Sequence, residues 1–177
     1  ADWGTVDYLK LHQALMIDTS LFSIEFKAKL LQKIDDLDAQ TDGVIIHSDN
    51  FQALNVLKKK YQEKVKCIYI DPPYNTSASE IIYKNGYKHS SWLSLMDNRI
   101  ANSISHLADD GLMQVAIDDQ EYRYLNLLLE QNFGINNFIS SISIEHNAKG
   151  IPQNHISATH EYLLMYAKNI DAVKTYD

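Results

Sequence analysis

The sequence is poor in the residues that build disulfide frameworks, zinc sites and glycine-rich phosphate loops. It holds one cysteine among 177 residues, so an internal disulfide cannot form and the usual paired-cysteine zinc spacing is missing. Cys67 lies in an apolar run, where we expect a small buried side chain rather than a reactive thiol. The six glycines are widely spaced, and no Gly-x-Gly pair occurs.

Long apolar runs and a leader-like start are also missing. No stretch approaches the roughly 18 apolar residues of a membrane span, and the first residues lack the charged-then-apolar order of a signal peptide. We therefore expect a cytoplasmic protein without membrane association. The net charge of −7 argues against nucleic-acid binding through a broad basic surface, so any such binding must use a local site.

The composition that is present, 45% hydrophobic and 22% charged residues, is that of a globular chain able to bury a core. Residues 1–42 are acidic and carry an apolar stripe with an approximate period of 3.6 residues, which predicts a helical N-terminal segment capped at Ser20 or Ser23. We expect residues 43–177 to form a separate α/β domain.

In that second part, β-type runs alternate with helical stretches. We expect residues 43–70 to form a β-α-β unit with a parallel strand pair, and Asp109-Asp110-Gly111 to end a helix before the third strand. The predicted strands are 43–47, 66–70, 112–117, 137–144 and 161–167; the predicted helices are 51–61, 90–107 and 119–132.

The stretch with the clearest chemistry is Cys67–Asn75, in which a strand-type run meets Asp71-Pro72-Pro73-Tyr74. Two prolines cannot continue a central strand, because neither has an N–H to donate, so the strand stops at Asp71. The Asp71 side chain is then expected at the carboxyl end of a buried strand, where open α/β sheets bind their ligands.

A rigid turn of this kind suits a planar amine. If Asp71 and a backbone carbonyl of the turn hold both hydrogens of an exocyclic NH₂ group, its nitrogen is drawn toward a nucleophilic state. Tyr74 would stack on the base, which is worth roughly 1–3 kcal/mol, and the base must first be flipped out of a duplex. The loop at residues 76–90 resembles a lid, and we expect its Tyr83 and Tyr87 to contact the substrate.

Other interpretations remain open on the residues alone. The prolines would merely make a tight turn in a structural protein, and residues 1–42 would suit an acidic interaction module. Asp71 with Asp118, Asp119 and Glu121 would also make a carboxylate cluster for Mg²⁺-dependent phosphoryl transfer, although that chemistry has no use for Pro-Pro-Tyr. The amine of cytosine N4 presents the same donors as that of adenine N6.

The order of several blocks resembles the N-terminal half of the bacterial β-class DNA adenine-N6 methyltransferases, especially the modification subunits of type III restriction systems. These blocks are Ile46–Leu54, Cys67–Asn75, Trp92–Arg99, Gly111–Asp119, Asn137–Ile144 and His160–Leu164. The resemblance implies a Rossmann-like α/β sheet of the S-adenosylmethionine-dependent methyltransferase type, and methyl transfer to the N6 amine of adenine. Asp rather than Ser at the first position of the tetrad favours adenine.

The resemblance also assigns roles to residues. It implies catalytic roles for Asp71, Pro72, Pro73 and Tyr74 and a substrate contact for Asn75. Asp49 and Asp71 are expected to contact S-adenosylmethionine, and Asp49 is also expected to cap the helix that follows it. Ser48 stands where this family usually has glycine. No metal site is implied.

The Phe-x-Gly-x-Gly cofactor loop of this family is not in the sequence. We therefore expect the chain to be a fragment whose sheet lacks the glycine-loop strand, weak in cofactor binding by itself, with unpaired strand edges that favour homo-oligomers. The expected partners are double-stranded DNA and, through the resemblance to type III systems, a restriction endonuclease subunit.

Overall fold

A computed structural model describes residues 3–76, 88–145 and 159–174. The chain divides into two units, Ala1–Ile46 and His47–Asp177. In the sequence, we placed this division after Asp42.

The first unit contains two short helices and a turn of 3₁₀ helix. Helix α1 is Val6–Leu11, the 3₁₀ turn is Thr19–Leu21, and helix α2 is Ile24–Leu31. The predicted cap at Ser23 is confirmed, because its Oγ accepts a hydrogen bond from the amide of Phe26 at 3.3 Å. The helical character predicted for this segment is therefore confirmed for two stretches of it.

The predicted strand at residues 43–47 is wrong. Val44, Ile45 and Ile46 are exposed and belong to no strand. A β-branched run favours extended backbone, but a strand also needs a hydrogen-bonded neighbour, and none of the described strands pairs with this segment. The β-α-β unit predicted for residues 43–70 is consequently wrong as well.

The second unit alternates helices and strands much as the sequence predicts. Its elements, in chain order, are α3 Asn50–Tyr61, β1 Val65–Ile70, α4 His89–Ile104, β2 Leu107–Ile117, α5 Tyr122–Phe133, β3 Phe138–Glu145 and β4 His160–Ala167. Gly134, with φ of 84°, ends α5 in a backbone conformation that favours glycine. Short 3₁₀ turns follow at Ile135–Asn137 and Ile170–Ala172.

The four described strands form one mixed sheet in the order β1-β2-β4-β3. β1 and β2 are parallel, with Ile70 opposite Val115, whereas β4 runs antiparallel to both β2 and β3. The parallel pair therefore joins β1 to β2, with α4 between them in the chain. In this strand order β1 lies at an edge and pairs with β2 alone among the described strands.

Strand β2 begins earlier than predicted, and Asp109-Asp110-Gly111 lies inside it rather than at a helix end. A Cβ added to Gly111 would lie 2.8 Å from the carbonyl oxygen of Val65 and 2.9 Å from that of Ala108. Glycine here marks the close approach of two backbones in the sheet and not a helix stop.

The core lies where α4 and α5 pack on β2 and β4. Its fully buried side chains include Trp92 and Ile100 from α4, Val115 from β2 and Leu125 from α5. In β1, Ile68 and Ile70 pack against this core, so the alternating residues Cys67 and Tyr69 lie on the other face and are exposed. The prediction of a buried Cys67 is therefore wrong. Within the described ranges, no helix is both long and apolar enough to cross a membrane.

Candidate active site at the carboxyl edge of the sheet

Three segments meet at one edge of the sheet. Asp71-Pro72-Pro73-Tyr74 follows the last residue of β1, and Asp118 follows the last residue of the parallel strand β2. Because β4 is antiparallel to β2, its first residues, His160 and Glu161, lie at the same edge. The predicted position of the Asp71 turn at the carboxyl end of a strand is confirmed, and this edge is where open α/β sheets bind ligands.

The Tyr74 phenol lies between two carboxylates. Its hydroxyl donates to Oε2 of Glu161 at 3.0 Å, and the Asp71 carboxylate lies close to it. Burial, followed by the interactions with Glu161 and Asp71, raises the pKa of the Tyr74 phenol well above its ordinary value of 10.0. The phenol therefore stays neutral at physiological pH, while the Asp71 carboxylate is exposed at the surface of the turn.

The turn is held by an indole. Nε1 of the fully buried Trp92, on the first turn of α4, donates to the carbonyl oxygen of Pro73 at 2.9 Å. A buried indole N–H needs an acceptor, and the prolines have no N–H with which to fix their own position through the ladder. Trp92 thus supplies a hydrogen bond that the sheet cannot give to this segment.

Asn75, which follows the tetrad, is buried and has a φ of 61°, in the left-handed region. Its Nδ2 donates to Oε1 of Glu121 at 2.6 Å, and Nδ1 of His89 donates to the same oxygen at 2.9 Å. Glu121 is fully buried. Its carboxylate therefore joins the end of the turn to the first residue of α4.

Asp49 occupies the N-cap of α3, as predicted. Its Oδ1 accepts from the amide of Phe51 at 3.0 Å. Arg99 of α4 donates to Oδ2 of Asp49 at 3.4 Å and to Oδ1 of Asn50 at 2.7 Å. The Asp49 carboxylate stays about half exposed, so it can accept further hydrogen bonds.

The carboxylates after β2 are each engaged in local structure. Asp118 Oδ1 accepts from the amide of Gln120 at 2.9 Å, and Asp119 Oδ1 accepts from the hydroxyl of Tyr162 at 3.0 Å. Burial, with the nearby charges of Asp119, Glu121 and Glu161, raises the pKa of Asp118. Across the described part of the chain, no group of three or more Asp, Glu, His or Cys side chains is arranged to hold a metal ion.

A polar cleft of about 540 Å³ opens at the start of α5. It is lined by Asp119, Gln120, Tyr122, Arg123, Tyr124 and Tyr162. The rings of Tyr122 and Tyr162 pack with centroids 4.3 Å apart, and His89 packs on Tyr124 at 4.5 Å. The cleft therefore offers aromatic faces and one cation.

The structure brings together the residues of the predicted tetrad and Asn75, while Tyr83 and Tyr87 lie outside the described residues. From the sequence we expected no site role for Glu161 or Arg99, and we placed Trp92 only on the inner face of the helix predicted at 90–107. His89 was expected only as one of the aromatic side chains of the lid-like loop at residues 76–90. We interpreted Glu121 first as an acid at the N-terminus of the helix that follows the third strand, and only second as a contact to the target site. No spacing rule links these residues to the turn, because their contacts depend on how the sheet and α4 pack.

The family profile described as DNA methylase, for N6 and N4 methyltransferases, matches residues 65–177. Among curated proteins, the type II methyltransferase M.KpnI of Klebsiella pneumoniae is 34% identical over 160 residues, covering 84% of this chain and 38% of the relative. The EcoPI Mod subunit of a type III restriction-modification enzyme of Escherichia phage P1 is 32% identical over 162 residues, covering 74% of this chain and 25% of the relative.

Among solved structures, a Thermus thermophilus protein assigned as a DNA modification methylase, TTHA0409, matches with a TM-score of 0.51 and 16% identity, over 71% of this chain and 53% of that one. The predicted α/β methyltransferase fold is thereby confirmed. The chain spans 38% of the length of M.KpnI and 22% of the length of another curated relative, the HindVI Mod subunit of a type III restriction-modification enzyme of Haemophilus influenzae. The methyl donor of the matched family is S-adenosylmethionine. With its profile match over most of the second unit, the chain belongs to the N6/N4 DNA methylase family.

Proposed function

We propose that this chain carries the amine-binding part of a DNA methyltransferase that transfers a methyl group from S-adenosylmethionine to the N6 amine of a flipped-out adenine. The observation that supports it most is the turn at the end of β1. There an exposed carboxylate, Asp71, stands beside the aromatic ring of Tyr74, whose hydroxyl is held by Glu161 at 3.0 Å. A carboxylate and an aromatic face are what a planar amine on a base requires.

The acceptors of the two amine hydrogens follow from the contacts of the turn. Asp71 accepts one N–H. Because the carbonyl of Pro73 already accepts from Trp92, we assign the second N–H to the carbonyl of Pro72. With both hydrogens held, the nitrogen lone pair is withdrawn from the ring and becomes nucleophilic.

S-adenosylmethionine, when bound, supplies an electrophilic methyl carbon. When the amine nitrogen takes the methyl group and the donor sulfur keeps the electrons of the broken S–C bond, the nitrogen would become cationic. The Asp71 carboxylate would stabilise that charge and accept or pass on the released proton. Tyr74 contributes its ring and does not act as a base, since the raised pKa keeps its phenol protonated.

Two carboxylates of this chain offer hydrogen-bond acceptors for part of S-adenosylmethionine. Asp49 and Asp71 both present exposed carboxylate oxygens, which are acceptors suited to ribose hydroxyls and amino groups. We assign Asp49 to these donors, with Arg99 fixing its orientation. Since the sequence holds no Phe-x-Gly-x-Gly loop, we propose that residues outside this chain complete the cofactor site.

We propose double-stranded DNA as the substrate, with Asn75 as part of the base pocket. The cleft at the start of α5 would contact nucleotides beside the target, because tyrosine faces stack on bases and Arg123 can pair with a phosphate. The likeness to the EcoPI Mod subunit supports a restriction endonuclease subunit as a partner of the whole protein. The edge of β1 that pairs with no described strand supports homo-oligomers.

The test is methyl transfer by the full-length protein from radiolabelled S-adenosylmethionine to duplex DNA, with the modified base identified by mass spectrometry of nucleosides. N6-methyladenine is the expected product. N4-methylcytosine would move the assignment to cytosine, the second candidate, whose amine offers the same donors. Absence of any methylated base from DNA of varied sequence would overturn the proposal.

An Asp71→Ala variant links that activity to the turn. We expect kcat to fall by roughly 10²–10⁴-fold, the range typical of a lost acid–base group. Asp110→Asn is the matched control, because Asp110 lies near the amino end of β2 and pairs with Lys66. If Asp71→Ala retained full activity, the turn would not be the catalytic site.

A further inference from the structure

We propose that Glu121 is a positioning residue for the catalytic turn: its buried carboxylate holds Asn75 in a left-handed conformation and so fixes the Asp71–Tyr74 backbone. This inference deepens the proposed function and rests on it. Glu121 does not reach the amine in this role. It acts through Asn75, the residue that directly follows Tyr74 in the chain.

The surroundings of Glu121 are unusual for an acid. Its side chain has no exposed surface, and both N–H donors that reach it, from Asn75 and His89, converge on Oε1. None of the described residues forms a hydrogen bond with the other oxygen, Oε2. Burying a carboxylate with one unpartnered oxygen costs stability, and an apolar residue of similar volume would avoid that cost.

Asn75 carries a second local cost. A non-glycine residue with φ of 61° is strained, although Asn tolerates this region better than most residues. Strain of this kind persists only where the surroundings hold it, and it concentrates at functional sites. The 2.6 Å hydrogen bond to Glu121 holds the Asn75 side chain. One hydrogen bond, next to the Asp71–Tyr74 turn, therefore joins the buried carboxylate to the residue with the strained backbone.

The second donor to Glu121 extends the effect to α4. His89 is the first residue of that helix, and Trp92, three positions later, donates to the carbonyl of Pro73. Trp92 therefore holds the turn directly and Glu121 holds its end, while Glu121 also secures the helix that carries Trp92. Loss of the Glu121 carboxylate should loosen both of these contacts together.

The test compares Glu121→Gln, Glu121→Ala, Asn75→Gly and the double variant Glu121→Gln with Asn75→Gly, in the full-length protein. Glutamine keeps an acceptor oxygen, and glycine keeps the left-handed backbone without the side-chain bond. Glu130→Gln is the matched control: it lies on α5, accepts from Asn126 Nδ2 at 3.3 Å, and has no described contact with the turn.

We expect kcat to fall about 100-fold in Glu121→Ala, the loss that a misplacement near 1 Å produces, and less in Glu121→Gln. KM for DNA should change little, and the double variant should be no slower than the slower single variant, because both changes break one interaction. If the two effects multiply, or if Glu121→Ala keeps wild-type kcat, the inference is overturned.

A readout without activity separates this inference from the proposed function. The 19F resonance of 5-fluorotryptophan at position 92, assigned with Trp92→Phe, should shift in the Glu121 and Asn75 variants. Trp3, in the first unit, is the internal reference that should not move. An unchanged Trp92 signal in Glu121→Ala and in Asn75→Gly would refute the positioning role. A shifted signal in a protein that does not methylate DNA would support the positioning role and reject the proposed function.

Discussion

The indole Nε1 of Trp92 donates a hydrogen bond to the carbonyl of Pro73 at 2.9 Å, across nineteen positions of sequence. This contact joins the first turn of α4 to the segment that leaves β1. It also occupies one of the two proline carbonyls, which leaves the carbonyl of Pro72 as the one we assign to the amine of the substrate.

Replacing Trp92 with Phe should weaken both stability and catalysis. Phenylalanine keeps most of the packing but leaves the partly buried Pro73 carbonyl without its donor, a loss of at most about 1–3 kcal/mol. We expect the free energy of unfolding, measured in urea, to fall by that amount and kcat for methyl transfer to fall with it. Trp3→Phe is the control, because Trp3 is 86% exposed. A Trp92→Phe protein as stable and as active as wild type would contradict this role.

We expect that the contribution of the Tyr74 ring to activity can be separated from that of its hydroxyl. Tyr74→Phe keeps the ring and loses a hydrogen bond of about 1 kcal/mol, so we expect kcat/KM to fall by less than about tenfold. Tyr74→Ala also loses stacking worth roughly 1–3 kcal/mol and should be much slower. Exposed Tyr69, changed to Phe, is the control.

A comparison of wild type with Tyr74→Phe also tests whether the Tyr74 phenol ionises. Because burial, the bond to Glu161 and the nearby Asp71 carboxylate hold the pKa of Tyr74 well above 10.0, the phenol should stay protonated throughout an assay from pH 6 to pH 10. The pH profiles of kcat for wild type and Tyr74→Phe should therefore be parallel. An alkaline limb present in wild type and lost in Tyr74→Phe would show that the phenol titrates.

The centre of the site could be predicted from the sequence because its cause is local. Two prolines after a strand-type run end a strand whatever surrounds it. The position of Asp71 directly after the end of β1 could therefore be predicted. The helices α3, α4 and α5 were also predictable from their apolar periodicity, and in α4 and α5 that periodicity determines which face is buried.

What could not be predicted depends on contacts between distant residues. Val44-Ile45-Ile46 looks like a strand but has no described partner to pair with, and Gly111 looks like a helix stop but lies where β1 and β2 approach closely. The partners of the turn, Glu161 and Glu121, lie 87 and 46 positions from Tyr74 and Asn75. Only the packed sheet brings them together.

Asp118 gives a prediction for the pH dependence of stability. Burial, then repulsion from neighbouring acids, raises its folded-state pKa above the ordinary 3.8, so the folded protein binds a proton more readily than the unfolded chain. The charged form therefore destabilises the fold above pH 3.8, and stability contributed by the protonated form is lost as pH rises through the raised pKa.

Asp118→Asn should accordingly be more stable than wild type at pH 7, since the amide oxygen can still accept from the amide of Gln120. The advantage in melting temperature should shrink as pH falls through the raised pKa and vanish below about pH 3.8, where wild type is protonated in both states. Asp97→Asn, on an exposed face of α4, is the control. A variant less stable than wild type at pH 7 would show that the Asp118 charge is favourable.

Substitution of Gly111 tests whether β2 includes Asp109-Asp110-Gly111, a segment whose sequence suggests the end of a helix. An alanine Cβ would lie under 3.0 Å from the carbonyl oxygens of Val65 and Ala108, which are backbone atoms and cannot rotate away. We expect Gly111→Ala to lower the free energy of unfolding by about 1–3 kcal/mol, as overpacking does. In Gly43→Ala the added Cβ meets nothing within 4 Å, so urea unfolding should be unchanged or slightly shifted to higher concentration. If the two substitutions had equal effects, Gly111 would not lie between paired strands. Because β1 carries the proposed catalytic turn at its other end, Gly111→Ala should also slow methyl transfer, whereas Gly43→Ala should not.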